Sequence, residues 1–410
     1  MRFGPWQDDV IARHPGIAPG DGGRAADHGA GVGDVAAPLV DPRLLERAGK
    51  ILFVAHLALG DFTYLKACFE AFARAWPHLK IHLWVDERRR TRRAAAWEHL
   101  RKYALYDWLA ACPYFDRVYR ETYSPALLAR SIAQARAESY PVVVSLAELE
   151  RHRYARLARK LSPDGFVVGQ KKRVRPYDLY KRLCYRHLDA WIAARPRAQQ
   201  PVQHISDIYA GWFAQLFGLQ IAPAARYPVL AIPATWTRWA RDQCAAWGMG
   251  GADRADGAVA RLVFLNAFAK SVERSWPLER TIELIHAMRE RDGWRDAGVI
   301  VNVVPEAMAR ARALFAGRAL GPTQLFSAQD NFFQLPAILA RCDLAISVET
   351  AVMHLANAVH VPVIALMRRK TPEWAPIDRA RSTVITVPGR NDWVERIGVA
   401  DVLAALPPGR

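Results

Sequence analysis

Cysteine is scarce and scattered in this chain. Cys68, Cys112, Cys184, Cys244 and Cys342 lie far apart in 410 residues, with no C-x-x-C pair and an odd count. That pattern argues against a disulfide framework and a zinc site, and it fits a reducing compartment. Long apolar runs are missing too: none approaches the ~18 residues of a membrane span. The amino terminus carries Asp8 and Asp9 and has no apolar h-region, so a secretory signal is not expected. Acidic residues are in deficit, 40 against 57 Lys and Arg, for a net charge of +17. Such a balance suits phosphorylated substrates, nucleic acid or an anionic membrane surface; an arginine-rich solvated surface explains it as simply. Nucleic acid is the weakest of these, since no helix-turn-helix or aromatic-interleaved basic stretch is present. The expectation is a cytoplasmic protein, with peripheral contact to the inner face of a membrane through charge alone as an extension of it.

What the chain has is hydrophobic content, 51%, enough for two cores, and a length that suits two domains better than one. Residues 1–48, rich in Gly, Ala and Pro over 14–38, are expected to form a disordered extension. From Lys50 onward, short apolar runs alternate with amphipathic stretches: KILFVAH, IHLWVD, DRVYR, PVVVSL and FVVGQ read as five strands with helices between them. Apolar strands alternating with helices predict a parallel sheet covered on both faces. A second series follows with RLVFLNA, GVIVNVV, TQLFS, LAISV, VPVIAL and TVITV. The reading is therefore α/β with two Rossmann-like halves facing a cleft, 49–220 and 259–410, joined by an inter-domain segment over 221–258. No internal repeat of solenoid period is present.

Three constellations could carry chemistry. In CDLAISVETAVMHLANAVHVPVIAL, a strand ends and a helix opens near Thr350, so free backbone N–H groups and the helix dipole face out of the carboxyl edge, a geometry suited to phosphate. Thr350 can cap that helix or donate its hydroxyl, and His354 lies one turn in on the same face. Glu349 would repel a diphosphate and makes more sense gripping sugar hydroxyls. Simple helix capping by Ser347, Glu349 and Thr350, with His354 packed, explains the same residues. In LNAFAKSVERSWPLERTIELI, Lys270 and Arg274 sit on the loop after a strand and before a helix marked by Pro277, Leu278, Ile282, Ile285 and Met288. They would face the same cleft, or be only a solvated basic loop. In HLALGDFTYL, Gly60 permits a tight turn or close approach. Asp61 either caps the helix or projects a carboxylate into the cleft as a general base. Basic clusters at 87–93 (ERRRTRR, with Arg89 and Arg90) and 170–176 (QKKRVRP, with Lys172 and Arg173) could take an anionic acceptor or lie near anionic lipid.

In this order and spacing, the three constellations resemble family nine of the glycosyltransferases, the ADP-heptose:lipopolysaccharide heptosyltransferases. The resemblance runs from about Lys50 to the end; its most specific carrier is the 342–366 stretch with its T-x-x-x-H spacing. It implies the GT-B architecture of two Rossmann-like domains. Asp61, after a Leu-Gly pair, falls on the family's catalytic base, and Arg274 on a phosphate-binding position before Trp-Pro. Glu349, Thr350, Ala351 and His354 fall on an Asp-Thr-Gly-x-x-His donor loop, and Glu306 on an acidic residue that meets the donor nucleoside. The implied activity is inverting, metal-independent transfer of a sugar, heptose from ADP-heptose, to a lipopolysaccharide core or other surface glycan. No cofactor or metal is implied, and no DxD-type site stands in the donor loop. The departures are Glu-Thr-Ala for Asp-Thr-Gly, MRRK after VIAL, VNVV where a Gly pair is usual, and Ala55 for a basic residue. They bear on the identity of the sugar more than on the reaction class. The alternative reading is a degenerate member that binds nucleotide or glycan without catalysis.

Overall fold

The computed structural model describes residues 37–193, 202–249 and 261–408. Two six-stranded sheets, all of whose pairings are parallel, organise the chain. The first comprises β1 (Lys50–Ala55), β2 (Lys80–Val85), β3 (Phe115–Tyr119), β4 (Val142–Ser145), β5 (Phe166–Lys171) and β6 (Ala190–Ala193), in the order β3-β2-β1-β4-β5-β6. The second comprises β7 (Leu262–Asn266), β8 (Gly298–Asn302), β9 (Thr323–Phe326), β10 (Leu344–Val348), β11 (Val363–Met367) and β12 (Ser382–Thr386), in the order β12-β11-β10-β7-β8-β9. Numbered from its own first strand, each sheet has the Rossmann order 3-2-1-4-5-6. Their central strands are buried on both faces, as β4, β7, β10 and β11 show at every position, which is why they read as unbroken apolar runs.

The core of the first half is aromatic. Phe53 on β1 meets Phe69 and Phe72 edge-on and stacks on Phe213 from the helix Ile205–Phe217. Large rings at helical spacing fill the sheet–helix layer, and each fully buried ring stabilises by about 1.5–3 kcal/mol. The two halves share this core. The helix Leu59–Ala75 packs on the helix Ala351–Ala358, Trp108 stacks on Phe332 with centroids 4.9 Å apart, and Asp107 accepts from the Phe332 N–H at 2.9 Å.

Three expectations change. Most of the anticipated extension lies outside the described residues, but 37–48 are ordered. Leu39 and Val40 donate their N–H groups to Gln215 and Leu216, and a helix, Pro42–Arg47, buries Leu45. The first half has a sixth strand, β6, unread because it is four residues long at a sheet edge with Trp191 exposed. Within 221–258, Ala234–Ala246 is a helix that buries Ala240 and Cys244, and Trp239 and Trp247 meet Phe326 on β9. That helix therefore packs on the second sheet.

Candidate active site

Asp61 is the third residue of the helix Leu59–Ala75, which starts directly beyond β1. Its Oδ2 accepts from the Ala58 N–H at 3.0 Å and its Oδ1 from the Tyr209 hydroxyl at 2.8 Å. One oxygen closes the helix start, as the capping reading expects, and the carboxylate stands at the carboxyl edge of the sheet. Burial raises its pKa above the ordinary carboxylate value, against the opposing pull of Ala58, Tyr209 and Lys270. Gly60 sits within the helix without a positive φ, and a Cβ there would meet His354 and Trp374 at an ordinary 3.7 Å.

Lys270 and Arg274 come from the other half, on the loop that leaves β7. Lys270 is solvent-exposed, yet the desolvating walls around it lower its pKa, helped by Arg89 and Arg274; Asp61 and Glu87 pull the other way. Asp61 and Lys270 therefore sense each other across the two halves. Arg274 is half-buried and bonds through Nε to Ser271 Oγ at 3.3 Å. Among the described residues no carboxylate forms a direct ion pair with either cation.

At the third constellation β10 ends and Thr350 caps the helix Ala351–Ala358, its Oγ1 accepting from the Val352 N–H at 3.3 Å. Register explains a polar row there. Asn266 on β7 lies beside Ser347 on β10 and Asn302 on β8. Its Nδ2 donates to Ser347 Oγ and Thr350 Oγ1, both at 3.0 Å, while its Oδ1 accepts from Asn302 at 2.8 Å. Ala351 is helical, and it is not among the positive-φ residues, so an alanine there strains no backbone.

Glu349 and His354 are both buried, His354 packed as the simple capping reading expects. The Glu349 carboxylate is buried and held by the Thr371 hydroxyl, by the Arg368 N–H at 3.4 Å, and by Arg368 Nε at 3.9 Å. Arg368 also reaches Glu273 at 3.3 Å. Glu349 and Arg368, two of the positions that depart from the resembled pattern, thus lie in contact. His354 is buried, and its Nδ1 shares a 2.8 Å hydrogen bond with the Tyr64 hydroxyl. Burial drives its pKa down to about 3, so at neutral pH it brings no positive charge to this turn.

Other expected residues are spread out. Glu306 is exposed on the turn Pro305–Ala307 after β8. Arg89 is clamped by Glu87 through Nε and a terminal nitrogen, both at 2.8 Å. Arg90 donates to Asp86 at 2.6 Å and to the Thr122 carbonyl at 2.7 Å. Their charges are largely spent locally. Lys172 and Arg173 line a groove beyond the end of β5, two strands from β1. The reading of the sequence missed Tyr209, Tyr64, Asn266 and Asn302. The asparagines, polar residues closing or following apolar strands, were the one signal available.

Two parallel Rossmann-type sheets, with Asp61 at the carboxyl edge of the first and Lys270 and Arg274 on the loop that leaves β7 of the second, have the architecture of the GT-B glycosyltransferases. Residues 193–392 match the model of glycosyltransferase family 9 (heptosyltransferase). Among solved structures, a family 9 glycosyltransferase from Veillonella parvula is similar with TM-score 0.65 and 18% identity, covering 87% of this chain and 96% of its own. E. coli ADP-heptose lps heptosyltransferase II follows at TM-score 0.61 and 14% identity, with coverages of 87% and 96%. E. coli heptosyltransferase WaaC with ADP-2-deoxy-2-fluoro heptose gives 0.56 and 16%, with 87% and 98%. No curated protein sequence matches the chain.

Proposed function

We propose that this glycosyltransferase moves heptose from ADP-heptose to an anionic surface glycan, such as a lipopolysaccharide core, with inversion and without a metal ion. The observation that carries this reading is the placement of Asp61, held by Ala58 and Tyr209 at the carboxyl edge of one sheet, with Lys270 and Arg274, which have no ion-pair partner among the described residues, on the loop that leaves β7 of the other. Asp61 takes the proton of the acceptor hydroxyl as that oxygen bonds to the anomeric carbon. The opposite C–O bond breaks, and its electron pair leaves with the nucleoside diphosphate. Lys270, Arg274 and the capped helix start at 350–352 stabilise that departing charge. A base with a raised pKa is closer to the working pH and so is better suited to proton transfer. The donor assignment is supported by the family's description and by solved relatives that carry ADP or a heptose analogue of its sugar donor. Glu306 is assigned to the nucleoside; Glu349 and Ala351 shape the sugar side of the pocket.

Calorimetric titration of the purified chain with ADP, UDP, GDP and CDP tests the donor. Preference for ADP is expected. Preference for another nucleotide would retain the enzyme class and reject ADP-heptose, and no binding to any would reject the site.

A further inference from the structure

Beyond the cleft, the stretch from Lys171 to Trp191 combines charge and exposed apolar surface. Seven Lys and Arg fall between positions 171 and 186 against a single acid, Asp178. Asp178 is already committed to Lys181, at 2.5 Å. Lys171, Lys172, Arg173, Arg182 and Arg186 line a groove of about 580 Å³ that, among the described residues, has no carboxylate in its wall. Trp191 forms one side, its ring centroid 3.8 Å from the Lys171 ammonium.

Beside this groove the short helix Leu179–Tyr185 turns apolar side chains outward. Leu179 is 63% exposed, Tyr180 52% and Leu183 54%, and Tyr177 just before it is 73% exposed. Leu179 and Leu183 are four residues apart and share a face. Exposed leucines and amphipathic aromatic rings within a field of cations are the composition of a helix lying in a membrane interface. A soluble polyanion would engage the cations and leave the leucines and tyrosines in water. The apolar rim therefore favours a lipid surface.

We infer that this surface docks the chain on an anionic bilayer, headgroup phosphates entering the groove while Leu179, Tyr180 and Leu183 insert at the acyl boundary. β5, which ends at Lys171, lies two strands from β1 in the sheet, about 10 Å sideways. The Lys171 end of the groove thus lies at the same carboxyl edge of the sheet as Asp61, the edge from which a lipid-borne acceptor would approach the base.

The test is flotation of the full chain with vesicles of phosphatidylcholine alone, or with about 30% phosphatidylglycerol, which supplies the anionic surface. Binding only to the anionic vesicles, weakened by salt, is expected. The double variants Leu179→Ser/Leu183→Ser and Lys172→Glu/Arg173→Glu should each lose roughly tenfold in vesicle affinity. Both alter exposed positions, and unchanged thermal melting would show them folded. Failure to bind anionic vesicles, or equal binding by either variant, would overturn the proposal. Displacement by inorganic pyrophosphate, but not by sodium chloride of equal ionic strength, would assign the groove to a soluble anion instead.

Discussion

The Tyr209 hydroxyl, buried in the first half's core, donates to Asp61 Oδ1 at 2.8 Å. A donor to a carboxylate stabilises its charged form, so Tyr209 restrains the rise that burial imposes on the Asp61 pKa. Tyr209 is a positioning residue. Tyr209→Phe should move the acid limb of the kcat/KM profile upward by about one pH unit, a roughly tenfold lower rate at any pH on that limb. ADP affinity should stay unchanged. An acid limb that does not move would show that the hydroxyl only packs.

Asp61 also has a predictable effect on stability. Its folded pKa lies above its unfolded one, so the folded chain holds that proton to higher pH. Stability is lost as pH rises from the ordinary carboxylate range through the folded value. Asp61→Asn removes this loss. The variant should melt higher than the wild type at pH 7, and the gap should close near pH 3. A lower melting point at pH 7 would contradict the burial assigned to this carboxyl.

The His354–Tyr64 bond joins the two halves and sets an acid sensitivity. The folded pKa of His354, about 3, lies below the unfolded value of 6.5. Stability is therefore present above pH 6.5 and is lost as pH falls toward 3, because the unfolded chain takes up the proton first. His56, lowered to about 4 by burial and by Arg88 and Arg151, acts in the same direction. Urea titrations should show unfolding free energy dropping by several kcal/mol between pH 7 and pH 4. Tyr64→Phe should cost about 1–3 kcal/mol at neutral pH by leaving a buried ring nitrogen unpaired.

Arg274 has no ion-pair partner among the described residues and lies beside Lys270. Arg274→Ala should weaken ADP binding by roughly tenfold or more, the loss expected for a charged hydrogen bond to a phosphate, with the melting point little changed. Unchanged ADP affinity would remove it from the site.

The strands and the two-sheet plan were legible because doubly buried parallel strands leave apolar runs that local pattern reveals. β6 was not, being four residues long and half exposed at an edge. The helix Ala234–Ala246 hid in what looked like a linker, since its role comes from Trp239 and Trp247 meeting Phe326, about eighty residues onward. The places of Asp61, Lys270, Arg274 and Thr350 beyond strand ends could be read from the sequence. Tyr209 could not: it lies in a helix rich in apolar residues, 148 positions from its partner. Arg368 was visible only as a departure from the family pattern; its contacts with Glu349 and Glu273 depend on the fold.

The most direct test of the account is the turnover of Asp61→Asn with ADP-heptose and an acceptor, measured beside its ADP affinity. The account predicts a loss of kcat of at least a hundredfold with the dissociation constant for ADP kept within a few fold, since the base acts on the acceptor and not on the nucleotide. A variant that retained most of its activity would show that another group takes the proton.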